Sequence, residues 1–294
     1  MRRGVLALCT LLALGLAACG REPSRSGIFG PCGFDSTALS FAGDALTQAR
    51  CLLRPVETWA KLGPQLKNLP AVLEGVIERP LPIRKAAFRA YLARRGLSEA
   101  DVGGPLAGRL SRARDDAAGA PTARYFVLHD TSTPYLGEDP FPEDLEGDPG
   151  INRLDRYRSD AASAHVFVNR AGEVYLGHDF KVPWRASKLE QNKAAGVATK
   201  GLFLHVELVQ PRRRHPAGGP RNDALAPVPG FSKAQYRRAA ELYVAASLRA
   251  GRGLIPAFHA VLDGGFPGGH DDPQNFDLAA WAAEIEAVLR EAGG

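Results

Sequence analysis

In the second half of the chain, apolar residues fall into strand-length and helix-length periods. Residues 124–129 form a β-branched and aromatic run closing on His129, which predicts a strand with Tyr125, Val127 and His129 on one face. Residues 165–177, HVFVNRAGEVYLG, are two short runs around Asn169-Arg-Ala-Gly172, the pattern of a hairpin. Residues 201–209, GLFLHVELV, are nearly continuously apolar, as in a strand buried on both faces. Alternation there puts Phe203, His205, Glu207 and Val209 on one face. Residues 231–251 predict a helix opened by a Ser232/Gln235 capping box and stopped at Gly251. A last helix takes Asp277 as N-cap and lines up Leu278, Trp281, Ile285 and Val288. Strands followed by helices over one core predict an α/β domain at residues 121–294.

The first half is patterned differently. Residues 38–120 predict a small, mostly helical region broken by prolines. Residues 82–97 place Ile83, Ala86, Phe88, Leu92 and Leu97 near helical spacing, with Gly96 as a stop; residues 69–80 predict a second short helix. Residues 115–123, DDAAGAPTA, have the composition of a linker. No chemistry is assigned to this region.

At the start, Arg2 and Arg3 precede an apolar run from Val5 to Leu16, followed by small residues and Cys19. This predicts a secretory signal peptide over residues 1–18, too short to span a membrane. Leu16–Cys19, LAAC, resembles a bacterial lipobox, which implies that Cys19 is lipidated and becomes the mature N-terminus. Gly20, rather than aspartate, at the next position favours the periplasmic side of the outer membrane. Residues 19–37 read as a polar, glycine-rich tether. Of four cysteines, Cys9 lies in the leader and Cys19 is the lipid site. Cys32 and Cys51 remain, and in an oxidising compartment they are expected to form a disulfide.

The composition adds exclusions. At 45% hydrophobic and 23% charged, the 294 residues have the makeup of an ordinary globular protein. The net charge of +5 includes Arg2 and Arg3 of the leader. No basic-aromatic stripe points to nucleic acid.

Candidate chemistry gathers around histidines and acids. A carboxylate at Glu207, within a doubly buried strand, must meet a cation or face a cleft. His129 ends a strand, His259 follows the apolar LIPAF, and the segment after it contains His270, Asp271 and Asp272. Two imidazoles and a carboxylate are a zinc donor set. The local signatures HExxH and CxxC are missing from the sequence, and spacing alone leaves the third ligand open among His270, Asp271 and Asp272.

Six segments in order carry a resemblance. They are VLHDTS with His129, Ser163-Ala164-His165 followed by the hairpin NRAGEVYLG, PWRAS with Trp184, LHVELV with Glu207, His259 after a long helix, and HDDPQNFD with Asp272. Together, over about residues 121–285, they resemble the zinc-dependent N-acetylmuramoyl-L-alanine amidases of the amidase-2 and peptidoglycan-recognition type. The resemblance implies a mixed central sheet flanked by helices and a Zn²⁺ ion held by His129, His259 and Asp272. It also implies Glu207 as catalytic base, and His270, where the family has lysine, as donor to the oxyanion. The implied substrate is peptidoglycan or a muropeptide, cut between N-acetylmuramic acid and L-alanine. Trp184 and His205 are candidates for contact with it.

Several features depart from the family. Arg185 stands where histidine is usual, a GGFPGG loop stretches the spacing from His259 to Asp272, and an acidic, proline-rich insertion from Tyr135 to Asp160 could wall the cleft. Other groups have plainer readings. His165 is expected to be a packed, hydrogen-bonded strand residue, His178 and His215 surface residues, and PRRRHP (211–216) a solvated basic loop. The alternative function is a non-catalytic peptidoglycan-binding module of the same fold. A zinc hydrolase of another amide is a further alternative.

Overall fold

A computed structural model describes residues 27–158 and 163–294. The signal peptide, Cys19 and residues 19–26 of the tether lie outside the described residues, as do residues 159–162 at the end of the acidic insertion.

The centre is a five-stranded mixed sheet of β1 (Tyr125–Asp130), β2 (Val166–Val168), β3 (Val174–Leu176), β4 (Phe203–Leu208) and β5 (Ile255–Phe258), in the order β3-β2-β4-β1-β5. β2 and β3 are the antiparallel hairpin, and the other neighbours run parallel. All six residues of β1 are buried, consistent with a sheet covered on both faces. The register matters for function. His129 is paired with Glu207 and Leu128 with Phe258, so β1 and β4 end level and β5 stops two residues short of them. Side chains at those carboxyl ends, and residue 259 just beyond, are brought to one place.

Helices ahead of the sheet include α1 (Ala45–Leu52), α2 (Ala71–Val76) and α3 (Lys85–Arg94), with a short helical turn at Ala113–Asp116. The sheet is interleaved with α4 (Lys188–Gln191), α5 (Lys233–Ala250) and α6 (His259–Asp263), and α7 (Leu278–Gly293) closes the chain. α5 is delimited as its ends predict. Ser232 and Gln235 cap each other's N–H groups, and Gly251 adopts φ 77° at the stop. Gln235 Nε2 also donates to Val209 O at 2.9 Å, tying the start of α5 to the end of β4. Asp277 caps α7 by accepting from the N–H groups of Ala279 and Ala280.

Alternation decides what each sheet face meets. Phe126 packs against Tyr243 of α5 and Trp281 of α7. Tyr125 and Phe203, on the opposite face, pack against Phe41, and Phe203 also meets Phe34. Those two phenylalanines come from the segment carrying the Cys32–Cys51 disulfide. One hydrophobic core therefore runs from Cys32 to Ala292, with the upstream helices sharing it.

Two stretches differ from their sequence reading. Residues 115–123 are not a free linker. The Ser111 N–H donates to Phe180 O and the Ala123 N–H to Ser111 O, both at 2.8 Å, and Ala120 is buried. The stretch is held by backbone bonding that composition does not reveal. PRRRHP is not a solvated loop either. Arg212 is fully buried, 2.8 Å from Asp130 Oδ2, because a carboxylate enclosed beside the strand end needs a cation.

Candidate metal centre and cleft

His129, next to last in β1, is buried with Nδ1 3.8 Å from both Glu207 Oε1 and Asp272 Oδ2. His259 opens α6 directly after β5, and its Nδ1 lies 2.9 Å from Asp272 Oδ1. The backbone N–H of Asp130 donates to Asp272 Oδ2 at 3.1 Å, which holds that carboxylate against the end of β1. One donor atom each from His129, His259 and Asp272 lies within 4.8 Å of the others, and all three residues are buried. Two imidazoles and a carboxylate, enclosed and converging, fit a zinc ion's preferences.

The three candidates for the third ligand separate in space. Asp272 faces His129 and His259. Asp271 turns away, with Oδ1 3.4 Å from Arg212 Nη1 and Oδ2 accepting from Gln274 Nε2 at 2.7 Å. His270 is half-exposed; its Nδ1 lies 2.6 Å from Asp263 Oδ2, and its ring stacks on His259 at 4.4 Å. His259, Asp263 and His270 form a second converging group that shares His259 with the first. Asp263 is already engaged there. Its Oδ1 accepts the Lys188 N–H at 2.6 Å, and its Oδ2 lies 3.1 Å from His259 Nε2. An acidic partner on the far nitrogen of a histidine orients the other nitrogen for a metal, so Asp263 supports His259.

Burial and neighbouring charge set the electrostatics of these groups. Burial, and then the charge of His259 with the other histidines, hold His129 well below the usual imidazole range, so it is neutral. Burial opposes charge on His259, but the carboxylates of Asp272 and Asp263 outweigh it and raise its pKa well above the usual value. Burial and the charge of Asp272 push Glu207 well above the carboxylate range, with partial relief from His259. Glu207 Oε2 is buried without a hydrogen-bond partner among the described residues. Asp263 moves the other way: burial disfavours its charge, but bonds from His259 and His270 hold it below the carboxylate range.

These groups open into a cleft of about 380 Å³. Glu207, His259 and Asp272 line it, and Ser132, Trp184, Arg185, Lys188 and His270 are among the other lining residues. Trp184 stacks on His178 at 4.1 Å and donates through Nε1 to Ser163 O. Arg185 Nη2 donates to the carbonyls of Gly196 and Val197 at 3.3 Å.

His205 does not line the cleft, which corrects the expectation of substrate contact. It is fully buried, two residues deeper along β4 than Glu207, with Nδ1 3.0 Å from His129 Nε2. His165 fills a packing role: its Nδ1 accepts the His205 N–H and its Nε2 faces Val182 O at 3.0 Å. The described part of the acidic insertion does not line the cleft. Its Glu146 pairs with buried Arg170 and its Tyr157 contacts Thr133, so it packs beside the strand end.

Sequence reasoning missed Asp263, Glu190, Asp130 and Arg212. Asp263 stands four residues after His259, a same-face spacing once residue 259 is known to start a helix. Glu190 follows Ser187 at the spacing of a capping box.

No family model matches the chain, and no curated protein matches it. Among solved structures, the Ph2119 endolysin from Thermus scotoductus MAT2119 bacteriophage Ph2119 aligns with it at a TM-score of 0.32 and 15% identity. The alignment covers 56% of this chain and 86% of that one. A likeness this loose carries no argument about function.

Proposed function

We propose that the chain is a zinc-dependent N-acetylmuramoyl-L-alanine amidase. It cuts the amide between the lactyl group of N-acetylmuramic acid and L-alanine, in peptidoglycan or muropeptides. The observation that carries this reading is the convergence of His129, His259 and Asp272 on one point, with Glu207 Oε1 3.8 Å from the first ring. The ordered motifs from VLHDTS to HDDPQNFD support the choice of substrate. The leader and Cys19 support a lipid-anchored protein at the periplasmic side of the outer membrane.

His129, His259 and Asp272 would hold the ion. When bound, zinc supplies Lewis acidity, which polarises a carbonyl and eases the deprotonation of water. Glu207 takes that proton and later returns it to the leaving amine. Its carboxylate faces the cleft with one oxygen unpaired among the described residues, in surroundings that raise its affinity for a proton. His270, anchored to Asp263 and half-exposed at the rim, donates to the oxygen on which negative charge develops. Trp184, backed by His178, offers a flat apolar face to sugar or stem peptide.

The test is to measure bound zinc and the release of stem peptide from purified cell wall, with and without a chelator. Release that stops on chelation and returns with zinc supports the proposal. Zinc-free protein that retains wall fragments without cutting them would replace it with a binding module.

A further inference from the structure

Glu190 is an enclosed carboxylate that its immediate surroundings do not explain. In α4, its Oε2 accepts the Ser187 hydroxyl at 2.9 Å and the Ala186 N–H at 3.1 Å. Its Oε1 is buried with no hydrogen-bond partner among the described residues. Enclosing a carboxylate is costly unless something answers its charge. Among the described residues, its ion-pair contact is His205, whose Nε2 lies 3.1 Å from Glu190 Oε2, both side chains being wholly buried. That contact is close but outside hydrogen-bond alignment. On its other side, His205 Nδ1 meets His129 Nε2 at 3.0 Å, and His129 Nδ1 faces Glu207 and Asp272. A row of carboxylate, imidazole and imidazole thus runs from the interior to the candidate metal centre.

One proton fits between His205 Nδ1 and His129 Nε2. If His205 supplies it, a bare lone pair on His205 Nε2 faces a carboxylate, and neutral His129 must carry its proton on Nδ1, which closes the metal face. If His129 supplies it, His205 carries its proton on Nε2, toward the carboxylate, and His129 Nδ1 is free. The charge of Glu190 selects the second arrangement. We propose that Glu190, acting through His205, is a positioning residue that fixes His129 as its Nε2–H tautomer and presents the Nδ1 lone pair to the metal. This inference rests on the zinc reading of the site.

Nitrogen NMR of the His129 ring in the metal-free protein, paired with zinc affinity by chelator competition, tests this. The wild type is expected to carry the proton on Nε2. Glu190→Gln is expected to shift His129 toward Nδ1–H and to weaken zinc binding about 10–100-fold, the range for losing a ligand's supporting partner. Glu190→Asp, which keeps the charge, is expected to keep the tautomer. Ser187→Ala, which removes the hydroxyl at Glu190 but not the charge, is expected to leave zinc affinity unchanged. A wild-type Nδ1–H ring overturns the proposal without any variant. So does Glu190→Gln with unaltered tautomer and affinity. A protein that binds no zinc, yet shows the Nε2–H ring and its shift in Glu190→Gln, removes the zinc reading and leaves the tautomer control standing.

Discussion

Asp130 and Arg212 form a fully buried ion pair, 2.8 Å apart, directly behind the candidate metal centre. Asp130 is the neighbour of His129, and its backbone N–H holds Asp272, while its Oδ2 accepts from Gln274 N at 3.2 Å. The pair thus links the end of β1 to the segment that delivers Asp272. Burial pushes Asp130 up to about 6, against the pull of Arg212 and with the charge of Asp272 adding to the rise.

Arg212→Met is expected to destabilise the protein by about 3–5 kcal/mol at pH 8, because Asp130 is left enclosed without its cation. The pH dependence has a definite sign. Asp130 is raised from 3.8 in the unfolded chain to about 6, so the folded state binds more protons in that window and stability falls as pH rises through it. Removing Arg212 moves the upper edge of the window higher. Denaturant unfolding at pH 5 and pH 8 should therefore show a steeper loss for the variant than for the wild type. A pH-independent difference would mean that Asp130 is not the group left stranded.

Glu207→Gln is expected to keep zinc and lose about 10²–10⁴-fold in kcat, the usual contribution of a general base. The amide retains the shape but not the charge that burial opposes, so the thermal midpoint should stay level or rise. Metal analysis, turnover on muropeptide and thermal unfolding of one preparation check all three. Unchanged turnover removes Glu207 from the chemistry.

The legible parts of this protein are those where a local rule and the tertiary structure agree. The capping box at Ser232, the stop at Gly251 and the cap at Asp277 bound their helices because each satisfies local N–H groups or backbone geometry. Glu207 was marked by its place in an apolar strand, and the structure puts it beside His129. The support around the candidate metal centre is harder to see because it depends on depth and register. Alternation put His205 on the same face as Glu207 but could not show that it lies beneath His129. The arginine run looked solvated because a charge string does not disclose that Asp130 is enclosed beside it. Asp271 and Asp272 are neighbours in sequence, and the turn of the backbone between them decides which one faces the histidines.

Ligand choice can be tested by substitution. Asp272→Ala and His259→Ala are each expected to weaken zinc binding by more than the roughly 100-fold that losing a supporting partner costs, whereas Asp271→Asn should retain it. The affinity should also rise with pH. His259 is raised by Asp272 and Asp263 against its burial, so the metal-free protein holds a proton there that zinc must displace. Chelator competition from pH 6 to pH 8 measures both effects. Retained zinc in Asp272→Ala would move the centre to His259, Asp263 and His270.

The disulfide offers a test far from the chemistry. Cys32 and Cys51 stand 19 positions apart, and both are buried where their segment brings Phe34 and Phe41 against Phe203. Closing a loop of that length contributes about 3 kcal/mol in the chain-entropy account. For a domain of this size, that corresponds to a fall of roughly 6–12 °C in Tm on reduction. Tyr125 and Phe203, the rings packed on Phe41 of this segment, lie at the far end of β1 and β4 from His129 and Glu207. Zinc affinity below the transition should therefore be nearly unchanged by reduction. A Cys32→Ala/Cys51→Ala variant, compared with the wild type by calorimetry and chelator competition, separates the two effects. A loss of zinc that matches the loss of stability would show that the covering segment shapes the site as well as the core.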